Sequence, residues 1–299
     1  MAIQLVEKFL PYVDELFTTE SKKDLLTNND FNWSGAHTVK VYKVSTASMY
    51  DYNRSGENTG SRYGTVQTLN ATTEEFMLKK DRSFTFEIDK LDSDETQAQL
   101  EAGQALARQL REVIIPEVDT YVYSVMCENA GIKPEPKNVL YEGLYYDIAA
   151  ANAALDDAEV PETGRIIVVT PETYMMMKAC DQITMETEIG NDMRIKGVIA
   201  NLDGCSVVKV PANRLPAEFS FMVCHPCATV APTKLEDYTT HENPPGISGS
   251  LVEGRICYDA FVLENKANAI FYQRELERMP NDSDSDTTDG DTETETETE

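Results

Sequence analysis

Basic side chains and long apolar runs are both scarce in this sequence. It has 26 Lys and Arg against 52 Asp and Glu, which gives a formal net charge of −26 at pH 7. A surface this acidic repels nucleic acid, so sequence-specific DNA binding is disfavoured, although a shell that encloses DNA without gripping it remains compatible with the charge. No run of about eighteen apolar residues occurs, which argues against a membrane-spanning helix. Charges at Glu7, Lys8, Asp14 and Glu15 also argue against a signal peptide.

Cysteine is infrequent, and its pattern is not that of a disulfide framework. Six cysteines are scattered between residues 127 and 257, and without a secretion signal they are interpreted as reduced thiols. The sole CxxC motif is Cys224-His225-Pro226-Cys227, which could be a redox pair or half of a zinc site. No second CxxC or paired histidine accompanies it, and the following residues do not predict a helix. We therefore interpret Cys224 and Cys227 as packing residues at the end of a strand.

The sequence motifs of catalysis and of nucleotide binding are missing as well. Gly56, Gly60 and Gly64, flanked by Arg54 and Arg62, are not followed by Gly-Lys-Ser/Thr or by a helix, so a P-loop is not predicted. The three histidines form no recognisable nucleophile elbow. These patterns predict a protein that is not an enzyme and that binds no cofactor or metal.

An extended arm is the most informative feature that is present. Residues 39–44 alternate apolar and polar side chains, the stretch 45–73 has almost no aliphatic residues, and Phe84, Phe86 and Ile88 again follow a period of two. This pattern predicts one long β-hairpin over residues 39–91 with a polar, glycine-rich tip. Such a tip cannot bury enough surface to hold itself folded, so it should lie on a neighbouring molecule. The predicted inter-subunit contacts are Tyr50, Tyr52, Arg54, Arg62 and Tyr63, with the arginines directed at acidic patches.

A long amphipathic helix follows the arm. Asp92, Ser93 and Asp94 can cap its start, and apolar residues then recur at helical spacing for about thirty residues. Pro116 should kink this helix or split it in two, and Gly131 should end it.

Beyond residue 134 the pattern is α/β. It predicts helices over 145–155 and from 171, strands over 165–170, 206–210, 219–223, 251–262 and 269–273, and a loop over 241–250.

The two ends of the chain differ in character. Ile3, Val6, Phe9 and Leu10 predict a short amphipathic helix that Pro11 stops. Asp282–Glu299 carries nine of the carboxylates and no Lys or Arg, so this tail should be disordered. Outward or interfacial placement is favoured for this tail, because its carboxylates repel one another and other anions.

Three stretches carry a resemblance to a known family: residues 84–92 (FTFEIDKLD), 113–121 (VIIPEVDTY) and 254–266 (GRICYDAFVLENK). With the order of arm, hairpin, long helix, α/β segment and terminal strands, the chain resembles the major capsid protein of tailed phages, which has the Hong Kong 97 type of shell fold. The resemblance covers roughly residues 1–275 and identifies an architecture, not an activity.

The resemblance implies an α+β fold with six segments. These are an N-terminal arm (1–38), an extended β-hairpin loop (39–92), the spine helix of a peripheral domain (93–135), an α/β axial domain (136–249), peripheral return strands (250–275) and a disordered acidic tail (276–299). It implies self-assembly through hexamers and pentamers into an icosahedral head that encloses double-stranded DNA. The expected location is the virion capsid, assembled in the cytoplasm of a host bacterium.

Partners and alternatives follow from the same resemblance. A long charged leader before the arm is not predicted, so a separate scaffolding protein, or none, is expected to direct assembly. A portal and decoration proteins are further candidate partners. Lys79, Lys80 and Lys266 could donate an isopeptide cross-link, but solvated or ion-paired lysines are the favoured interpretation and no cross-link is predicted. A nanocompartment shell of the same fold and a cytosolic thiol or metal protein using Cys224 and Cys227 are the alternatives.

Overall fold

The computed structural model of the chain describes residues 20–28, 38–54, 61–91, 102–180 and 198–276. The predicted N-terminal amphipathic helix and the acidic tail lie outside these ranges. The helices are α1 (Lys23–Leu26), α2 (Ala102–Gln109), α3 (Ile115–Glu128), α4 (Leu144–Asp157) and α5 (Pro171–Ala179). The strands are β1 (Thr38–Val44), β2 (Ala71–Met77), β3 (Lys80–Asp89), β4 (Ile166–Val169), β5 (Val198–Leu202), β6 (Cys205–Lys209), β7 (Phe219–Cys224), β8 (Thr229–Val230), β9 (Thr233–Glu242), β10 (Gly249–Tyr258), β11 (Phe261–Val262) and β12 (Ile270–Arg274).

A five-stranded sheet forms the centre of the fold, in the order β12-β7-β4-β6-β5. All four residues of β4 are buried, as the continuous apolar run predicts for a strand covered on both faces. Its side chains alternate between two cores. Ile166 and Val168 pack with Val122 and Met126 of α3, whereas Ile167 packs with the apolar residues of α4. The sheet therefore lies between the long helix on one side and α4 on the other.

The long helix is continuous across its proline. α2 leads into a π-helical turn, Leu110–Ile114, and α3 then begins with Pro116 as its second residue. The N–H of Ile115 donates to the carbonyl of Leu110, five residues back, and this wider turn accommodates a residue that cannot donate. The expectation that Pro116 splits the helix is therefore wrong.

The helix ends at Glu128, so Gly131 is not its terminator. Gly131 instead serves close packing, because a Cβ there would lie 2.6 Å from the carbonyl carbon of Ala267. Its N–H donates to the Ala267 carbonyl at 2.8 Å.

The second half of the predicted hairpin belongs to two different sheets. β1 pairs with β2 as a hairpin, but β3, with Phe84, Phe86 and Ile88, pairs with β10 in a sheet ordered β3-β10-β9. The prediction of one hairpin running to residue 91 is therefore wrong after Met77. The predicted loop over 241–250 is also shorter, because β9 reaches Glu242 and β10 begins at Gly249.

Two pairings join residues on either side of the domain boundary predicted at residues 249 and 250. β9 pairs with β10, and β12 pairs with β7 in the central sheet. The boundary itself stays a prediction.

Residues 20–28, which belong to the predicted N-terminal arm, are docked on the body. Leu26 is fully buried, and the hydroxyl of Ser21 donates to Asp119 of α3 at 2.6 Å. The N–H of Asn28 donates to the carbonyl of Thr229 at 2.7 Å. Separately, no helix within the described ranges is long and apolar enough to cross a membrane.

Candidate assembly surface

The hairpin, here residues 38–54 and 61–77, keeps one register well beyond its regular strands. β1 and β2 pair from Thr38 opposite Met77 to Val44 opposite Ala71. Further out, side chains and backbone continue the same antiparallel alignment. The linked pairs are Ser45 with Asn70 (2.9 Å), Ser48 with Gln67 (3.0 Å) and Asn53 with Arg62 (3.0 Å). The polar residues of this stretch thus hold two extended segments together where regular strand pairing ends.

The base of the hairpin is anchored to the body through one face. Phe76 is buried, with its ring centroid 4.8 Å from that of Phe261, and it shares a small apolar cluster with Val230 and Leu263. Lys43 lies between the carboxylates of Glu74 and Glu264 and forms an ion pair with each. These anchoring contacts lie at the base of the hairpin, near residues 43 and 74.

The rest of the hairpin exposes an unusual amount of apolar surface. Met49, Val66 and Tyr63 are 99%, 88% and 80% exposed. The large apolar side chains of the hairpin that are exposed are Tyr42, Val44, Met49, Tyr50, Tyr52, Tyr63, Val66, Leu69 and Met77. A concentration of exposed apolar side chains on one projecting element is typical of a protein–protein contact surface.

The five predicted contact residues all lie in this outer part of the hairpin. The rings of Tyr52 and Tyr63 meet edge-on with centroids 5.1 Å apart. The register of the hairpin explains this contact, because it aligns the two extended segments that carry these residues. The hydroxyl of Tyr50 accepts a hydrogen bond from Gln67 at 2.8 Å. Arg54 and Arg62 are exposed, and no carboxylate in the described part of the chain forms an ion pair with either. Their contact with a neighbouring subunit stays a prediction.

Glycine has a defined role at one point of this surface. Gly64 has φ +88°, and a Cβ on it would lie 2.7 Å from Cγ of Tyr50. A residue with a side chain would therefore be strained and would displace the tyrosine. Gly64 closes a turn by donating to Ser61, which places Tyr63 at the turn.

The sequence analysis missed Met49, Val66 and Leu69 as surface residues. Each stands alone among polar residues, so the stretch was interpreted as lacking aliphatic anchors. The signal that could have found them is the hairpin register, which sets Met49 opposite Val66 once Val44 is set opposite Ala71.

The CxxC segment has the geometry of packing and not of a reactive site. Cys224 ends β7 and is fully buried, and burial raises the pKa of its thiol far above the ordinary value. A 3-10 turn follows at Pro226–Ala228, and the chain then enters strand β8 and not the α-helix that a redox CxxC motif precedes. His225 is engaged with the backbone on both ring nitrogens, since Nδ1 accepts from the N–H of Cys227 (3.2 Å) and Nε2 lies 3.1 Å from the carbonyl oxygen of Thr163.

The other cysteines support the same interpretation. All six are free thiols, and burial raises the pKa of Cys127 to about 12. Within the described ranges no group of three or more His, Cys, Asp or Glu is placed to hold a metal ion. Burial therefore keeps the thiols of Cys224 and Cys127 protonated at neutral pH, and both residues contribute apolar surface to the core.

Comparison with known proteins draws on structure alone. No protein-family model matches the chain, and no curated protein matches its sequence. Among solved structures, one from Mycobacterium phage Che8 superposes with a TM-score of 0.68 at 17% identity, covering 90% of this chain and 96% of that one. The capsid structure of cyanophage P-SCSP1u gives a TM-score of 0.66 at 13% identity, covering 90% of this chain and 92% of that one.

A third structure, the mature capsid of bacteriophage PhiM1, gives a TM-score of 0.64 at 12% identity and covers 92% of this chain and 93% of that one. The chain has the phage capsid fold. The expectation drawn from residues 84–92, 113–121 and 254–266 is confirmed at the level of the fold.

Proposed function

We propose that the chain is a major capsid protein, whose copies assemble into the icosahedral head that encloses phage double-stranded DNA. The observation that carries the proposal is the capsid fold combined with a hairpin whose outer half exposes many apolar side chains. A projecting apolar element is costly in an isolated molecule, and burial against another copy removes that cost. The role is structural and needs no cofactor.

The proposal assigns a part to each segment. The hairpin within 39–92 lies over an adjacent subunit. The long helix within 93–135 and the strands within 250–275 form the peripheral domain, and 136–249 forms the axial domain around the five-fold and six-fold axes. The acidic net charge of −26 fits a wall that contains DNA without binding its sequence.

The finer parts of the proposal concern partners and place. Hexamers and pentamers of this chain form the shell, with a separate scaffolding protein, a portal and decoration proteins as further partners. Assembly takes place in the cytoplasm of the host bacterium, and the product is the virion capsid.

Two experiments test the proposal. The first is electron microscopy of particles purified from producing cells, with their contents treated with nuclease. Closed icosahedral shells with protected DNA are expected. Shells filled with protein cargo would favour the nanocompartment alternative, and a soluble monomer with no larger species would overturn the proposal.

The second experiment tests the hairpin. Deletion of residues 50–66 should leave a folded, soluble subunit that no longer forms closed shells. A more limited variant replaces both Tyr52 and Tyr63 with Ser. Its matched control is Tyr146→Ser on α4, because Tyr146 is also exposed (64%) but lies outside the hairpin. Normal shells from the deletion would contradict the assigned role of the hairpin.

A further inference from the structure

A buried carboxylate lies where the hairpin joins the body. Asp259 occupies the bend between β10 and β11 and is only 2% exposed. It lies in the stretch 254–266 that carries the family resemblance, but that resemblance identifies an architecture and gives no role to this residue. Removing a charged group from water is costly unless donors surround it, so its surroundings should explain why it is there.

Three donors from different parts of the fold converge on this carboxylate. Oδ1 accepts from the hydroxyl of Tyr121 on α3 (2.7 Å) and from the N–H of Ala260 (2.8 Å). Oδ2 accepts from the N–H of Lys79 at 2.8 Å. Both oxygens are therefore used, and the long helix and the chain leaving the hairpin are linked through a single side chain.

The position of Lys79 makes this link mechanically important. Leu78 and Lys79 are the only residues between β2, which belongs to the hairpin, and β3, which belongs to the β3-β10-β9 sheet. Two residues between two separate sheets form a joint. The N–H of Lys79 donates to the carboxylate of Asp259 and not to the backbone of a neighbouring strand. The joint is therefore held by a side-chain hydrogen bond and not by the strand pairing of either sheet.

The partner on the helix is suited to a permanent link. Burial, with Asp259 as the next cause, raises the pKa of the Tyr121 hydroxyl well above its ordinary value, so it remains a donor. The ammonium of Lys80 lies 4.7 Å from the centroid of the Tyr121 ring, and the centroid of the Tyr258 ring lies 5.8 Å from the same point. These two contacts restrict the movement of the Tyr121 ring.

We propose that Asp259 is a positioning residue that fixes the direction in which the hairpin leaves the body. Its carboxylate locks the joint at Leu78 and Lys79 to the long helix before any neighbouring subunit is present. The apolar contact of Phe76 with Phe261 holds the hairpin base against the body, and Asp259 determines its angle. The value of a fixed angle for shell closure rests on the proposed function, whereas the lock itself is a property of the single subunit.

The test measures the joint in the full chain, kept dilute so that shells do not form. Amide exchange followed by NMR or mass spectrometry reports on the N–H of Lys79. Spin labels on cysteines introduced at Met49 and Glu162, in a background with Cys227 and Cys257 changed to Ser, report on hairpin direction. The variants are Asp259→Asn and Tyr121→Phe, and Asp81→Asn is the matched control because Asp81 lies on the adjoining strand and binds Arg255 at the surface.

The expected result for Asp259→Asn is exchange of the Lys79 amide at least about tenfold faster, which corresponds to about 1.4 kcal/mol, together with a broader distance distribution between the labels. Tyr121→Phe should broaden the distribution less, and Asp81→Asn should leave both measurements unchanged. If Asp259→Asn fails to fold, Tyr121→Phe decides the matter. Wild-type exchange and an unchanged distribution in the folded variant would overturn the proposal.

The outcome is separable from that of the proposed function. If the wild-type chain never assembles but the joint loosens in Asp259→Asn, the lock stands and the capsid role fails. If the wild type assembles and the joint is unaffected by the substitution, the capsid role stands and the lock fails. Loss of thermal stability without any change at the joint would assign Asp259 to general stability alone and overturn the positioning role.

Discussion

Replacement of Arg214 by Met should destabilise the chain strongly, because it strands a charge in the core. Arg214 and Asp119 are 4% and 1% exposed, and Nη1 lies 2.8 Å from Oδ2. Removing one member of a buried ion pair typically costs about 3–5 kcal/mol. For a chain of this size that loss corresponds to a decrease of about 10 °C in Tm.

The loss should depend on pH in a defined direction. Burial raises the pKa of Asp119 even though Ser21 and Arg214 act to lower it. Without Arg214 the pKa rises further, so the folded variant binds a proton at a pH where the unfolded chain does not. Its stability therefore increases as the pH falls through that raised pKa, and the defect should be smaller at pH 5 than at pH 8.

Urea unfolding of the unassembled chain, followed by far-UV circular dichroism at both pH values, measures the effect. The double variant Asp119→Leu with Arg214→Met replaces the pair by apolar side chains and should recover most of the loss. The matched control is Arg255→Met, which breaks the surface pair with Asp81 and should have little measurable effect. The reasoning is refuted if Arg214→Met costs no more than Arg255→Met at pH 8, or if its cost does not shrink at pH 5.

Two further predictions concern the thiols and a packed glycine. In the native chain a thiol reagent should not modify Cys224 or Cys127 until urea unfolds the protein, because both are buried, and a strong chelator should leave stability unchanged. Rapid modification of Cys224, or zinc whose removal lowers Tm, would contradict the packing role. Gly254→Ala should cost about 1–3 kcal/mol in urea unfolding, because its Cβ would overlap the ring of Phe84 and lie 2.9 Å from Tyr238. Gly103→Ala is the control, because Gly103 lies in helix α2 and a Cβ there would have no atom within 4 Å. Equal effects of the two substitutions on stability would show that crowding is not the cause.

Local sequence patterns were sufficient for the elements that bury a continuous or periodic apolar face. The strand at Ile166–Val169 was predicted from its unbroken apolar run, and α4 from its alanine-rich stretch. α5 begins where Pro171 follows a capping threonine, and the Thr170 hydroxyl accepts from the N–H of Thr173 at 3.1 Å. These patterns act within a few residues, so no knowledge of the rest of the fold was needed.

The strand β9 was missed for the opposite reason. Its sequence, TKLEDYTTHE, is polar, and it is a strand because β10 offers it a hydrogen-bonding edge. The division of residues 71–89 between two sheets is likewise decided by partners that are distant in sequence, since β2 pairs with β1 and β3 with β10. Alternation with a period of two predicts a strand but not its partner.

The sequence by itself determined the architecture: an extended arm, a long helix, an α/β body and an acidic tail, because each has its own composition or period. It also placed Tyr50, Tyr52, Arg54, Arg62 and Tyr63 on the projecting tip. Only the tertiary structure decided which acidic residues matter, because the stretches 113–121 and 254–266 indicate a family but not that Asp119 and Asp259 are buried or which partners they have. Burial and donor convergence are properties of residues that are brought together from distant parts of the sequence, and no local pattern encodes them.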